Sequence, residues 1–309
     1  PRLVDNARRV VIGSRSSSLS LAQTNEVVRL LLQAHPSLNI EIVPLSTRGD
    51  RNKAAPLLSM ERGMFVKEIE LALLNGDIDI AVHSAKDMPA ATPPGLAIAA
   101  FPEREDARDV LVNRWSAPLS ELPSGARLGT SSPRRTAQLK VARPDLEILP
   151  IRGNVDTRMS RAMSDDYDGA VLAAAGIIRL GRGAEISSYL SPEECVPDVG
   201  QGALAVQVRE SDSEMLECVG AIDHLPTSTA VRAERAFLET MGGGCTVPTA
   251  AYAEFQGDKL RITAMVAKPD GSEIYRIVKL YDSGNPIAAG ESVAAALLDT
   301  GAAQILETL

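Results

Sequence analysis

The sequence predicts an α/β protein of two related lobes, followed by a small α+β domain. Three observations carry the prediction. The opening third alternates strand and helix patterns in the order β-α-β-α-β. The same grammar returns from about residue 127, with matching loop motifs. From about Ala221 the pattern changes to a helix, three strands and a closing helix.

Residues 9–12 read as the first strand and 13–18 as a polar turn. A helix over 19–34 follows, with Val28, Leu31 and Leu32 on its apolar face and Pro36 as its stop. Residues 40–45 form a strand, 46–50 a polar Ser-Thr-Arg-Gly-Asp turn, and 51–63 a loop without periodicity. A helix over 65–74 ends at Gly76, and a buried strand opens at Ile78. In the second lobe, 127–129 is a strand end, 130–135 a polar turn, and a helix runs to about Ala142 before Pro144. Residues 146–151 form a strand, 155–163 a helix and 169–174 a strand.

The repeat goes beyond element order. Gly-Ser-Arg-Ser-Ser at 13–17 answers Gly-Thr-Ser-Ser-Pro-Arg-Arg at 129–135, and Arg-Gly-Asp at 48–50 answers Arg-Gly-Asn at 152–154. Residues 101–120, polar and punctuated by proline, read as the join between lobes. Gly200-Gln201-Gly202 leads into a strand over 203–208 that could return to the first sheet, so that two crossings make a hinge. The division expected is 1–102 with 200–220 for the first lobe, 103–199 for the second and 221–309 for the last domain. In that domain a helix near 229–241 precedes strands at 249–255, 260–267 and 274–281 and a helix near 286–307.

Composition narrows the function classes. Hydrophobic residues make up 45% and charged residues 23%, the balance of an ordinary globular chain. The net charge of -8 and an aromatic content of 3% argue against a nucleic-acid-binding surface. Cys195, Cys218 and Cys245 are far apart and odd in number, which fits a reducing compartment and excludes a disulfide framework. Three histidines without ligand spacing give no metal site. No apolar run reaches membrane-spanning length and no signal pattern opens the sequence.

Two regions carry candidate chemistry. At 78–89 a buried strand runs out into His83, Ser84, Lys86 and Asp87 before Pro89: a base, a hydroxyl, a cation and an acid at a strand's carboxyl end, where open α/β sheets place their sites. Residues 127–182 hold ten Lys and Arg against six Asp and Glu, within a chain that is acidic overall. Arg134, Arg135, Arg152 and Arg158 follow strand ends or open helices, and Arg15 has the matching place in lobe one. Helix starts favour anions, and the guanidinium fork grips a carboxylate or phosphate through two hydrogen bonds. One such arginine is ordinarily a solvated charge; five at equivalent loops point to a polyanion site. Ser132 reads as a helix cap with Pro133 behind it. Cys245 follows three glycines, which frees its thiol to act as nucleophile or attachment point; buried hydrophobe is the usual fate of a free cysteine.

Taken together these motifs resemble the porphobilinogen deaminase (hydroxymethylbilane synthase) family. The resemblance rests on Val-His-Ser-Ala-Lys-Asp-Met-Pro (82–89), Arg-Glu-Asp-Ala-Arg-Asp (104–109), Gly-Thr-Ser-Ser-Pro-Arg-Arg (129–135), Arg-Gly-Asn-Val-Asp-Thr-Arg (152–158), Val-Gly-Gln-Gly-Ala (199–203) and Gly-Gly-Cys-Thr-Val-Pro (243–248). It implies two lobes like those of periplasmic binding proteins around a cleft, plus the third domain. It also implies a transferase that condenses four porphobilinogens into a linear tetrapyrrole on a covalent dipyrromethane. By motif position Asp87 is the implied catalytic carboxylate and Cys245 the attachment thiol. Arg15, Ser17, Ser84, Lys86, Ser132, Arg134, Arg135, Arg152, Arg158 and Arg179 are implied partners of cofactor and substrate carboxylates, and Thr130, Ser131, Asn154, Gln201 and Gly202 stand in the same motifs. One region departs from the family pattern: a glycine-rich loop with two lysines is shortened to Ser59-Met60-Glu61-Arg62-Gly63, where Arg62 replaces one lysine. Pro133 stands where leucine is usual.

Two other classes share these features. A two-lobed anion-binding protein would need neither Cys245 nor the third domain and would carry an export signal. A phosphoribosyl transferase would use the same arginines and want a magnesium site. The reading implies a monomer in the cytoplasm, or in a plastid stroma if a transit peptide has been removed.

Overall fold

The computed structural model describes residues 9–45, 66–242 and 247–307. The chain divides into two compact units, Pro1–Arg104 with Ala203–Ser228, and Glu105–Gly202 with Thr229–Leu309.

The first unit is built on a five-stranded sheet in the order β2-β1-β3-β10-β4. Its strands are β1 (Arg9–Arg15), β2 (Asn39–Leu45), β3 (Ile80–Ser84), β4 (Leu96–Ala100) and β10 (Leu204–Arg209). β1 pairs in parallel with β2 and β3, while β10 runs antiparallel between β3 and β4. The chain therefore does return to the first sheet. β1 extends three residues beyond the expected strand, because Gly13–Arg15 continue the ladder along 43–45. On one face Val27 and Leu31 of the helix Ser18–Ala34 pack on Val10, Ile12, Ile80 and Val82. On the other, Ile69 and Leu73 of the helix Lys67–Asn75 pack on Ile78 and Ala81.

The second unit repeats this plan. β5 (Asp109–Asn113), β6 (Arg127–Gly129), β7 (Glu147–Leu149), β8 (Gly169–Ala173) and β9 (Ser188–Tyr189) form a sheet in the order β7-β6-β8-β5-β9. Each sheet thus has three parallel strands and then a strand, β10 or β5, inserted antiparallel directly after the chain has crossed from the other unit. Residues 101–120 are accordingly more than the expected join. Their Val110, Leu111 and Val112 are fully or almost fully buried in the middle of the sheet. The run is short and flanked by charge, so its burial comes from β8 and β9 on either side.

The same unit holds a three-stranded antiparallel sheet of β11 (Thr249–Gln256), β12 (Lys259–Ala267) and β13 (Ile274–Asp282). Ala250, Met265 and Ala267 pack against Ala137 and Val196, so this sheet shares a core with the helix Pro133–Ala142. The helix Leu225–Thr240 is crossed closely by the helix Pro286–Leu297: a Cβ on Gly290 would stand 2.1 Å from the Ala233 carbonyl. The expected helix over 286–307 is interrupted at Gly301, whose φ of 105° no helix accommodates.

Candidate functional site

Two clusters form in the two units. In the first, β3 ends at Ser84 and the chain turns through a single 3-10 turn, Ala85–Asp87, before Met88 buries itself. This turn leaves Asp87 exposed and Lys86 half-buried. Alternation along β3 decides the rest. Val82 faces the helix Ser18–Ala34, as does Ser84, whose Oγ accepts a hydrogen bond from Gln23 Nε2 at 2.8 Å. His83 faces the opposite way. It is 5% exposed, and its Nε2 lies 3.0 Å from Gln207 Oε1. Gln207 Nε2 in turn donates to Glu70 Oε1 at 3.0 Å. Burial pushes the imidazole down to about 4, with the Gln207 hydrogen bond opposing, so His83 is neutral at pH 7. The expected grouping of a base with Ser84, Lys86 and Asp87 is therefore corrected: His83 belongs to the core beneath the turn. Arg15 closes β1, half-buried. Ser17 caps the helix that follows, accepting from Ser20 N at 3.2 Å.

The second cluster is organised by Asp109, the first residue of β5, which is fully buried. Its Oδ2 accepts from Arg134 Nη1 at 2.7 Å and from the Cys195 thiol at 3.3 Å. Its Oδ1 accepts from Arg135 Nε at 3.0 Å, Arg135 Nη2 at 2.8 Å and Gln201 Nε2 at 2.8 Å. Burial alone would raise the carboxyl's pKa, but the two guanidinium groups reverse that and hold it far below the usual carboxylate range. Cys195 goes the other way: burial first, then the Asp109 charge, pushes its thiol up to about 12.

The arginines expected as open grips are thus largely inside. Arg134 is 5% and Arg135 6% exposed. Arg135 spends Nε and Nη2 on Asp109 and Nη1 on the Val171 carbonyl, at 3.1 Å. Arg134 spends only its Nη1 end, on Asp109 and on the Val196 carbonyl at 2.6 Å. Its Nε is buried without an acceptor, and its Nη2 makes no hydrogen bond to a described residue.

Other expected contacts also have internal tasks. Ser131 Oγ donates to the Ile151 carbonyl at 2.8 Å and accepts from Ile151 N at 3.0 Å, which commits its single donor within the fold. Thr130 Oγ1 accepts from Ser132 N, and Ser132 caps the helix Pro133–Ala142 with Pro133 in its first turn. Asn154 caps the helix Val155–Ala162 by accepting from Thr157 N at 2.9 Å. Gln201 is fully buried and holds the Ala107 carbonyl at 2.8 Å as well as Asp109. Gly202 has φ +86°, and a Cβ there would stand 2.3 Å from the Glu105 carbonyl, so it is a glycine for steric reasons. Arg152 is exposed, while Arg158 and Arg179 are half-buried; Arg158 Nε donates to the Gly153 carbonyl at 2.7 Å. Arg62 and Cys245 lie outside the described residues.

Asp109 and Gln23 were missed by sequence reasoning. Asp109 stands in a quoted motif, and a carboxylate directly before the apolar Val-Leu-Val run was the available signal. Nothing in the helical pattern distinguishes Gln23 from any other polar helix residue.

Comparison with known proteins accords with this arrangement. Residues 10–217 match the family model described as porphobilinogen deaminase, dipyromethane cofactor binding domain, and residues 228–299 match porphobilinogen deaminase, C-terminal domain. The chain belongs to the porphobilinogen deaminase family. Porphobilinogen deaminase of Geobacillus kaustophilus is 50% identical over 302 residues, covering 97% of each chain. That of Bacillus subtilis is 46% identical over 303 residues, covering 97% of this chain and 96% of its own. Among solved structures, the BvgS VFT2 domain of Bordetella pertussis matches 71% of this chain and 87% of its own, with a TM-score of 0.41 and 15% identity.

The dipyrromethane cofactor of this family carries carboxylate side chains, and the residues present suit them. The Nε/Nη2 edge of Arg134 is a planar fork with a buried, unsatisfied donor, which a carboxylate oxygen would satisfy.

Proposed function

We infer that this chain is a transferase that deaminates four porphobilinogen molecules and joins them head-to-tail into hydroxymethylbilane. The observation that carries this reading is the exposed Asp87 on the 3-10 turn at the end of β3, in a chain whose two family matches span 10–217 and 228–299. The alternative of a two-lobed binding protein without catalysis is not favoured, because the match extends through the C-terminal domain.

The bound dipyrromethane supplies the primer to which the first substrate ring is added. The chain's own residues do the remaining work. Asp87 is proposed as the catalytic residue: its carboxylate stabilises the positive charge that develops on the substrate's pyrrole nitrogen as the ammonium group leaves as ammonia, and it accepts the proton lost from the attacking α-carbon once the new carbon–carbon bond has formed. Arg134 offers its free edge to a carboxylate, and Arg15, Lys86, Arg152, Arg158 and Arg179 are proposed to neutralise the other acetate and propionate groups. Ser17 and Ser84 are proposed as hydroxyl partners of the same groups, with Ser84 held in place by Gln23.

Cys245 is proposed as the attachment thiol. The support is the motif around it and the condition of the other two cysteines: both are buried, and the Cys195 thiol is pushed up to about 12, where it is no nucleophile at pH 7. A monomeric state and a cytoplasmic location belong to the same reading, as does the three-domain division at 102/103, 199/200 and 220/221. Among the described residues, no helix is long and apolar enough to cross a membrane.

The test is the intact mass of the denatured protein before and after incubation with porphobilinogen, together with turnover. The expected result is an adduct of two linked pyrrole units that is absent from Cys245→Ala, and turnover in Asp87→Asn reduced at least a hundredfold. A wild-type protein that gains no adduct and turns over no substrate overturns the reading.

A further inference from the structure

Arg134 is held by one end only. Asp109 Oδ2 and the Val196 carbonyl take its Nη1, at 2.7 and 2.6 Å, and Cys195 Sγ lies 3.6 Å from the same nitrogen. The opposite edge, Nε with Nη2, has no acceptor among the described residues, although the side chain is only 6% exposed. An arginine left to itself would turn its more accessible end outward and keep the Nε near its own backbone. Here the terminal nitrogen is drawn inward, and the side-on fork is the part that stays vacant. The agent of this inversion is Asp109. Its second oxygen is meanwhile saturated by Arg135 and Gln201, so the carboxylate cannot rotate to follow Arg134.

We propose that Asp109 is the positioning residue of the anion site: it fixes the Arg134 guanidinium by its Nη1 end so that the Nε/Nη2 edge is presented to a ligand carboxylate. The inference rests on the function proposed above and assigns a task to a residue that touches no substrate. Gln201 is the brace of this arrangement. It ties Asp109 Oδ1 to the Ala107 carbonyl, and Gly202 beside it accepts from Glu105 N at 3.2 Å. Glu105 and Gly202, both within the second unit, are thereby tied to one another in the same segments that carry Asp109 and its brace.

Charge and position make opposite predictions, which gives the proposal its test. Asp109→Asn removes a negative charge beside two cations. If Asp109 acted only by tempering charge, the variant would take up a carboxylate-bearing ligand faster. If it positions Arg134, the variant takes it up more slowly, because an amide accepts at one atom and repels the guanidinium at the other.

The experiment follows cofactor loading of apoprotein incubated with porphobilinogen, by intact mass, for wild type, Asp109→Asn, Arg134→Gln and the double variant. The expected result is loading slowed at least fivefold in Asp109→Asn, and a double variant no slower than Arg134→Gln, since the aspartate acts through that arginine. Wild-type loading in Asp109→Asn, or defects that simply multiply in the double variant, overturns the proposal. Should Asp109→Asn fail to fold, Gln201→Leu removes one arm of the same carboxylate. Two- to threefold slower loading with an unchanged near-ultraviolet circular dichroism spectrum is then expected, and unchanged loading overturns the proposal. A wild-type protein that never loads fails the functional reading, whereas wild-type loading with indifferent variants fails only this inference.

Discussion

His83 Nε2 and Gln207 Oε1 are 3.0 Å apart, inside a core that neither side chain leaves. The pairing sets a ring N–H on Nε2 against the amide oxygen, which neutral and charged imidazole can both supply; it is burial that holds the imidazole at about 4 against an ordinary 6.5. Between those two values the unfolded chain binds a proton that the folded chain does not, so stability rises with pH across this window. The contribution is complete above pH 6.5, is lost as pH falls towards 4, and amounts to about 3 kcal/mol. Urea unfolding at pH 7.0, 5.5 and 4.5 should show the fall, and His83→Gln should flatten it. A variant as pH-sensitive as wild type would assign the loss to other groups.

Cys195 should be inert in the folded protein. Its thiol is buried, donates to Asp109 and is pushed up to about 12. Iodoacetamide at pH 8 should leave it unmodified over hours in buffer and label it within minutes in urea, as read by peptide mass mapping. Fast labelling in buffer would show that the Asp109 cluster opens.

Gln23 holds Ser84 from a different element, through the 2.8 Å hydrogen bond to its Oγ. Gln23→Leu keeps the volume and removes the donor. Turnover should fall about tenfold, the kinetic equivalent of one hydrogen bond, with the melting temperature nearly unchanged. Turnover at the wild-type level would mean that Ser84 needs no such support.

Gly202→Ala should be among the most damaging single-methyl additions in the chain. The new Cβ would meet the Glu105 carbonyl at 2.3 Å, in a backbone conformation of φ +86° that alanine already disfavours. A loss of more than about 2 kcal/mol is expected from clash and strain together. Thermal melts of wild type and variant decide the matter, and equal midpoints would mean that the 104–105 stretch yields freely.

The sequence by itself determined the two lobes, the three strands of the small α+β region after them, the family and the turn that carries Asp87. These follow from short-range signals: alternation at 78–82, Pro36 and Pro144 as helix stops, Ser132 and Asn154 as caps, and motifs read in order. Tertiary structure decided which way the candidate side chains face. Alternation along β3 puts His83 and Ser84 on opposite faces, but that His83's face is closed over, with Gln207 from 124 residues away as its partner, only the folded chain decides. Arg134 and Arg135 open a helix as expected, but Asp109, 25 and 26 residues earlier, draws them inward. Residues 109–113 are too brief and too charged at their edge to declare themselves a central strand, until β8 and β9 close on both sides. Local pattern specifies an element; whether a polar group within it is spent on the core or left for a ligand depends on partners that only the folded chain brings within hydrogen-bonding distance.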